Sequence, residues 1–288
     1  MSIKNYAQAM LEGLLFAMEE DARINLVGGS LFGLGPQRAL SAQLRERFGD
    51  RIVDPPISES ASVALGIGAA MAKRIAAEGA HVILIARTQG GLEEVDDAIR
   101  AAGGSATLTP MDLTEMDNID KLGAALFERF GRLDIVIGNA GLLGTMGPIT
   151  HLEPKVWEQV MTVNVSANWR MIRSFDPLLR QSDAGRALYF SSAAARAPRA
   201  YWSVYAVSKA ALEMTVGIYA EETKNTPIRV NLFDPGKTRT LMRAEAVPGE
   251  DPDSLKTPEF VAGQIIELVA PSCTKHGEII TALEPDEV

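Results

Sequence analysis

His81-Val-Ile-Leu-Ile-Ala86 is a run in which every residue after the histidine is apolar. Such a run predicts a strand buried on both faces, as in a parallel sheet covered by helices. Shorter apolar runs recur along the chain, and helical patterns separate them, notably at about 154–180 and 203–223. The other predicted strands are 24–27, 51–54, 106–108, 135–138, 188–191, 229–233 and 278–281. This alternation predicts an α/β fold with a doubly wound, mostly parallel, Rossmann-like sheet.

The composition of the chain limits which kinds of molecule it binds and where it is expected to be located. The chain has 288 residues, a net charge of −9 and 47% hydrophobic residues. That charge argues against nucleic acid or an anionic membrane as the main partner. The single cysteine, Cys273, excludes an intrachain disulfide and fits a reducing compartment. No apolar run reaches about 18 residues, and no His, Cys and carboxylate cluster has metal-ligand spacing. We therefore expect a soluble cytoplasmic protein without a bound metal.

The sequence spacing of four polar residues indicates a catalytic site. Tyr205 and Lys209 are four residues apart and so share one face of a helix. An ammonium beside a phenol favours the ionised phenol. Ser192 lies 13 residues before Tyr205, and Asn164 lies 28 residues before Ser192. Taken singly, Ser192 is equally well a residue that ends a strand, and Asn164 an ordinary helix residue.

Several motifs give the chain, from about 66 to 281, a resemblance to the short-chain dehydrogenase/reductase family. They are Asn139-Ala140-Gly141 after a strand, Asn164 in Val-Asn-Val, Ser192 after a strand, Tyr205 with Lys209, and Asp234-Pro235-Gly236, where the family usually has Asn-Pro-Gly. The resemblance implies an enzyme that reduces a small carbonyl compound or oxidises an alcohol. It also implies a homodimer or homotetramer formed through the helices that contain Asn164 and Tyr205.

The resemblance assigns a role to each of the four polar residues. It makes Tyr205 the general acid or base and places the substrate oxygen on Ser192. It implies that Lys209 lowers the tyrosine pKa and binds the nicotinamide ribose, and that Asn164 holds a water linking Lys209 to solvent. The chemistry is coherent, because two hydroxyl donors at a carbonyl oxygen stabilise the charge that develops there.

The predicted cofactor is NADP, with NAD as the alternative. Arg87 and Thr88 follow strand 81–86, where a carboxylate would select NAD, and a guanidinium suits a 2′-phosphate. Arg87 is equally well a solvated loop residue, and Asp112 is either the family's adenine contact or a turn residue. The implied cofactor-binding residues are Gly66, Ile67, Gly68, Arg87, Thr88, Asp112, Asn139, Ala140, Gly141, Tyr205, Lys209, Pro235, Gly236 and Thr238.

The glycine-rich loop departs from the family pattern. Gly-x-x-x-Gly-x-Gly becomes Ser62-Val-Ala-Leu-Gly66-Ile-Gly68, although glycine allows the tight turn and the close approach to a pyrophosphate. The helical pattern begins near Ser58, which would move the positive helix end about 12 Å from Gly66. We therefore expect the anion site to be lost or displaced.

The first 71 residues resemble a different family, the beta subunit of thiamine-diphosphate-dependent 2-oxo-acid dehydrogenases. The likeness runs through the stretch from Arg45 to Glu59 and on through Gly66-Ile-Gly-Ala-Ala-Met71. It implies a thiamine contact at Glu59, although we favour a carboxylate at a helix start. The chain thus looks like a chimera of residues 1–71, an atypical βα extension, and a reductase-like domain, 66–288. The alternative functions are a non-catalytic chimera with impaired dinucleotide binding and a thiamine-enzyme-like assembly module.

Three further expectations concern this beginning and the substrate pocket. Gly29-Ser-Leu-Phe-Gly33-Leu-Gly35 also fits the glycine pattern, and with Asp54 it would favour NAD, but we interpret it as a structural turn. Strand 51–54 is expected beside strand 81–86, in the missing first-strand position, with strand 24–27 next to it. An apolar substrate pocket is expected around Tyr201, Trp202, Leu241 and Met242.

Overall fold

The computed structural model describes residues 66–285 and, as backbone, 26–27 and 52–53. The chain separates into two units, Met1–Glu59 and Ser60–Val288. In the first, β1 (Leu26–Val27) pairs in parallel with β2 (Ile52–Val53), as expected for these neighbours. The predicted pairing of strand 51–54 with strand 81–86 would join the two units and stays a prediction. The expectations about Gly29–Gly35, Glu59 and Ser62 fall outside the described residues.

The second unit alternates strands with helices, as the apolar runs predict. Its strands are β3 (His81–Ala86), β4 (Ser105–Pro110), β5 (Ile135–Gly138), β6 (Arg186–Phe190), β7 (Arg229–Asp234) and β8 (Ile279–Thr281). Its described helices are α1 (Ile67–Ala77), α2 (Gln89–Ala101), α3 (Met116–Phe130), α4 (Pro154–Met161), α5 (Ala167–Leu179), α6 (Ser203–Thr223), α7 (Leu241–Ala246) and α8 (Pro258–Val269).

All described strands of the second unit run parallel. β3 pairs with β4, and β5, β6, β7 and β8 follow one another in a four-stranded ladder. The predicted α/β class with a parallel, Rossmann-like sheet is confirmed. Because the strands are parallel, their carboxyl ends share one edge, which is where such folds bind ligands.

Two apolar layers cover the four-stranded ladder. On one face Leu126 of α3, Phe175 of α5 and Leu212 of α6 belong to a single buried cluster. On the other face α1 and α8 contribute Met71, Ile75, Val261 and Ile265. Burial on both faces explains why the strands are nearly continuous apolar runs.

Helix α1 begins where the cofactor loop needs it. Gly66 is its N-cap, with extended backbone (φ −108°, ψ 179°), so the first helical residue is Ile67. The expected 12 Å displacement of the positive helix end from Gly66 is therefore wrong. The four-residue apolar spacing that suggested an earlier start continues past a residue whose backbone is not helical.

The segment predicted as one helix over 154–180 contains a break in its winding. A π-helical turn, Thr162–Ser166, separates α4 from α5. Single π-turns of this kind are frequent at functional sites, because they change which side chains face a neighbour. Asn164 lies in this turn.

Candidate active site

The predicted catalytic residues lie on elements of the carboxyl edge of the sheet. Ser192 follows β6 and caps the short 3-10 turn Ala193–Ala195, where its Oγ accepts a hydrogen bond from the Ala194 N–H at 3.3 Å. Tyr205 and Lys209 lie in the first two turns of α6, as the spacing predicts. Ser192 also influences Tyr205, because interaction with the Ser192 side chain lowers the pKa of the Tyr205 phenol.

Lys209 is buried beneath this pair. Its Nζ donates a 2.7 Å hydrogen bond to the carbonyl oxygen of Phe190, the last residue of β6. The same nitrogen lies 5.8 Å from the centroid of the Tyr205 ring. Only 4% of Lys209 and 8% of Tyr205 are exposed, so both side chains are held by protein contacts.

Burial displaces the pKa values of both groups. It raises the pKa of Tyr205, against the lowering effect of the Ser192 hydrogen bond, and the Asp234 charge raises it further. It lowers the pKa of Lys209 to about 8, while the Asp234 and Glu213 charges act the other way. Tyr205 is therefore a protonated phenol at neutral pH.

Asn164 joins the site through its side-chain amide. Its Oδ1 accepts from the Leu142 N–H at 2.7 Å, and its Nδ2 donates to the Leu142 carbonyl and to Ser208 Oγ, each at 2.9 Å. A Cβ added to Gly141 would lie 3.5 Å from both Asn164 Oδ1 and Lys209 Nζ. The loop after β5, the π-turn and α6 thus converge, and Asn164 fixes them.

Sequence reasoning missed an ionic network behind these residues. Glu213 accepts hydrogen bonds from Ser191 Oγ and Arg196 Nη1, each at 2.5 Å. The other terminal nitrogen of Arg196 pairs with Asp234, which is 3% exposed as a side chain. The available signal was spacing, since Glu213 is four residues after Lys209 on α6. The network ties the Ser192 loop to α6 and to the end of β7.

The glycines at the start of α1 lie against the loop after β5. A Cβ at Gly68 would lie 2.8 Å from Asn139 Nδ2, a distance that real Cβ atoms do not reach. Any larger residue at this position would therefore have to displace the Asn139 side chain. The structure thus brings together Gly66-Ile67-Gly68 and Asn139-Ala140-Gly141.

The remaining predicted cofactor residues follow other strands of the same unit. Arg87 and Thr88 come directly after β3, and Thr88 is the N-cap of α2. Asp112, after β4, accepts hydrogen bonds from the Thr114 N–H and hydroxyl, both at 2.8 Å. These bonds give Asp112 the turn role left open by the sequence.

The loop after β7 is built around a buried lysine that sequence reasoning also missed. Gly236 has a positive φ of 63°, and a Cβ there would lie 2.8 Å from Lys256 Nζ. Thr238 Oγ1 donates to the Pro235 carbonyl at 3.2 Å. Lys256 in turn forms a 2.8 Å ion pair with Glu284.

Apolar side chains surround the Tyr205 ring. Leu143, Trp202 and Met242 are among the residues that pack with it in one cluster, and the Trp202 and Tyr205 ring centroids are 5.9 Å apart. Of the other predicted pocket residues, Tyr201 is 61% and Leu241 54% exposed. Tyr201 also has a positive φ of 73°, a strained backbone of the kind that clusters at functional sites.

A comparison with protein families identifies the class. The model of the short chain dehydrogenase family matches residues 62–251. The chain belongs to the short-chain dehydrogenase family. The match confirms the resemblance seen in the motifs and makes the protein an oxidoreductase. It begins at Ser62, so the resemblance of residues 1–71 to a thiamine enzyme stays a prediction.

Curated relatives agree with this assignment. An uncharacterized oxidoreductase, YciK, of Escherichia coli K12 is 40% identical over 196 residues, which are 67% of this chain and 77% of YciK. The 2,3-dihydro-2,3-dihydroxybenzoate dehydrogenase of Bacillus subtilis is 31% identical over 191 residues, 66% of this chain and 73% of that enzyme.

Solved structures show the same fold. A short chain dehydrogenase of Shigella flexneri complexed with NADP is 38% identical, with a TM-score of 0.73, and the match covers 76% of this chain and 93% of that one. One of Escherichia coli CFT073 complexed with NADPH is 37% identical, with a TM-score of 0.72, over 77% and 94% of the two chains.

The described residues contain neither a membrane-spanning helix nor a group of metal ligands. Over 66–285, no helix combines the length and the apolar character needed to cross a membrane. The same residues hold no group of three or more His, Cys, Asp and Glu side chains that would bind a metal ion.

Proposed function

We propose that this protein is an NADP-linked reductase of small carbonyl compounds, or the corresponding alcohol dehydrogenase. The observation that supports the proposal is the convergence of three side chains: Ser192 lowers the pKa of the Tyr205 phenol, and the Nζ of buried Lys209 lies 5.8 Å from the Tyr205 ring centroid. Two hydroxyl groups and a cation therefore lie close together at the carboxyl edge of the sheet. That arrangement suits an oxygen atom that gains negative charge during reaction.

The proposed roles follow from these contacts. Ser192 holds the substrate oxygen by a hydrogen bond, and Tyr205, protonated because burial raises its pKa, gives its proton to that oxygen during reduction. Charged Lys209 then stabilises the phenolate that Tyr205 leaves behind. Asn164 keeps its neighbours in place through Leu142 and Ser208. NADP, when bound, supplies or removes the hydride.

The residues at the start of α1 fit a dinucleotide. The N–H groups of the first helical turn point out of α1 at Gly66, and a helix N-terminus with a glycine-rich approach favours phosphate. Gly68 and Gly141 leave room that a Cβ would fill, the first beside Asn139 and the second beside Lys209. We assign the pyrophosphate to the Gly66–Gly68 side and the nicotinamide ribose to Lys209.

The preference for NADP rests on two supports. Arg87 and Thr88 follow β3 at the position where an acidic residue would select NAD. The similar structures from Shigella flexneri and Escherichia coli are complexed with NADP and NADPH. We assign the 2′-phosphate to Arg87.

We further propose that the protein is a homodimer or homotetramer that pairs through α5 and α6. Large apolar side chains are exposed on these helices: Trp169 is 49%, Met214 67% and Ile218 52% exposed. Ile218→Glu should shift the mass measured by light scattering to that of a smaller species. An unchanged mass would contradict this interface.

The direct test is a fluorescence titration with NADPH, followed by NADPH oxidation with a panel of ketones, aldehydes and quinones. Saturable binding at micromolar NADPH and turnover of one compound class are expected. Binding without any turnover would contradict the reductase assignment.

A second candidate is a non-catalytic chimera with weak dinucleotide binding. One feature favours it: Ser62 stands where the family pattern has its first glycine. The absence of saturable binding up to millimolar NADPH would support this candidate over the reductase.

A further inference from the structure

Asp234, the last residue of β7, is a carboxylate at a position where the family usually has asparagine. A buried carboxylate is stable only when hydrogen bonds and a nearby cation compensate for its lost hydration. Both are present, since Asp234 accepts a 3.0 Å hydrogen bond from the Gly236 N–H and pairs with the guanidinium of Arg196. The chain thus carries a buried negative charge that an asparagine would not supply.

A second carboxylate binds the same arginine. Glu213 of α6 accepts a 2.5 Å hydrogen bond from the other terminal nitrogen of Arg196. Because two carboxylates face a single guanidinium, the cluster formed by Asp234, Arg196 and Glu213 carries an unbalanced negative charge. We refer to these three residues as the Arg196 cluster.

The Arg196 cluster is attached to the surroundings of Lys209. Glu213 follows Lys209 by four residues on α6, so the two side chains share one face of the helix. Lys209 Nζ donates to the carbonyl of Phe190, and the next residue, Ser191, donates its hydroxyl to Glu213. The Ser191 N–H also joins the end of β6 to the end of β7 through a 2.8 Å hydrogen bond. The cluster therefore fixes the strand ends against which Lys209 is held.

Several elements surround Lys209 and differ in the charge they bring. The charged or titratable groups are Tyr205 and Glu213 from α6, Arg196 from the turn after β6, and Asp234 from the end of β7. The loop after β5 and the π-turn bring a glycine and the Asn164 amide, which carry no charge. Burial lowers the pKa of Lys209 to about 8, and the charges of Asp234 and Glu213 oppose that decrease.

We propose that the Arg196 cluster consists of positioning residues for the reaction proposed above. Its carboxylates keep Lys209 charged, and its arginine holds both carboxylates and the Ser192 turn in register with the lysine. The inference rests on the proposed function, because a charged Lys209 assists the reaction only if Tyr205 becomes a phenolate. Aspartate at position 234 has an electrostatic role that the usual asparagine lacks.

The test measures the charge of Lys209 itself, in the full chain with neither NADPH nor substrate. This choice is needed because the Asp234 charge also acts on the pKa of Tyr205. NMR of isotope-labelled lysine side chains follows the titration, and Lys209→Arg identifies the signal by its loss. We expect a midpoint near pH 8 in the unaltered protein. Asp234→Asn should lower it by about half a pH unit or more, because a neighbouring negative charge is removed, and Glu213→Gln should lower it too.

Asp176→Asn is the matched control for these substitutions. Asp176 is also a partly buried, ion-paired carboxylate, but it lies on α5 and pairs with Arg180. Its variant should leave the midpoint of Lys209 unchanged. An unchanged midpoint in Asp234→Asn would overturn the proposal, and so would an equal shift in the control. If the Glu213 variant does not fold, Asp234→Asn decides, since asparagine is the residue that the family usually has there.

Turnover separates this proposal from the reductase assignment. In an active protein, the decline of kcat/KM at high pH should move to lower pH in Asp234→Asn, as the midpoint of Lys209 does. A shifted midpoint in a protein without turnover would confirm the charge coupling and contradict the reductase. Turnover with an unshifted midpoint would do the reverse.

Discussion

The two strand ladders of the second unit differ in burial. Every residue of β6, from Arg186 to Phe190, is buried, whereas in β3 Leu84 is the one buried residue. β6 pairs with β5 and β7, and β3 pairs with β4. The predicted catalytic residues contact the β5–β8 ladder, since Ser192 follows β6 and Lys209 bonds to its last carbonyl.

The predicted cofactor loop, in contrast, lies at the start of α1, the helix that precedes β3. α1 leads into β3, and Gly68 lies against the residue that follows β5. The predicted catalytic residues and the predicted cofactor loop therefore lie beside different strands of the fold.

The largest effect should come from changing Tyr205, which lies beside the β5–β8 ladder. Tyr205→Phe removes the proposed proton donor and should lower kcat by a factor of about 10²–10⁴. Tyr219→Phe is the matched control, because it removes another hydroxyl from the same helix, one bonded to Asp176 at 2.9 Å. NADPH oxidation measures both. Turnover of the Tyr205 variant at the level of the control would show that a different acid acts.

Truncating one core side chain in β6 and one in β3 compares how much each strand contributes to stability. Leu188→Ala in β6, at a site that is 1% exposed, should lower the free energy of unfolding by about 2–5 kcal/mol. Ile83→Ala in β3 should cost less than half as much, because this side chain is only partly buried and lines a cavity of about 510 Å³. Urea unfolding gives both values. Equal losses would mean that β3 is as tightly packed as β6.

The preference for NADPH over NADH tests the residue that follows β3. Arg87→Ser should weaken NADPH binding about 10-fold or more and leave NADH binding nearly unchanged, because one charge-assisted contact is lost. Arg129→Ser is the control, since this exposed arginine lies near the end of α3. Parallel losses for NADPH and NADH would assign the 2′-phosphate to another residue.

The pH dependence should be the smallest of these effects. Burial lowers the pKa of Lys209 to about 8, and the charged form stabilises the phenolate. kcat/KM for reduction should thus be constant below pH 8 and fall about tenfold per pH unit above it. Lys209→Arg keeps its charge and should move the decline to higher pH, whatever its absolute rate. A decline at the same pH in both proteins would point to another group.

Much of the second unit follows from local sequence. Continuous apolar runs such as 81–86 identified its strands, because burial on both faces leaves no alternation to confuse them. The 203–223 helix and the Tyr205–Lys209 spacing were predictable for the same reason: they are short-range patterns. The π-turn at Asn164 was not, since one extra residue in a helical turn leaves no change in composition.

The errors arose where distant residues decide. The start of α1 at Ile67 depends on the backbone of Gly66, which the apolar spacing before it does not report. Glu213, Arg196 and Asp234 lie far apart in sequence, so their ion pairs were invisible until α6, the Ser192 loop and β7 were placed together.

The central claim is that the start of α1 binds a dinucleotide's phosphates although Ser62 replaces the first glycine of the family pattern. A crystal structure after an NADPH soak tests it directly. The account predicts pyrophosphate density at the N–H groups of Gly66–Gly68 and the nicotinamide ribose within hydrogen-bonding distance of Lys209. Density elsewhere, or none at saturating NADPH, would contradict it.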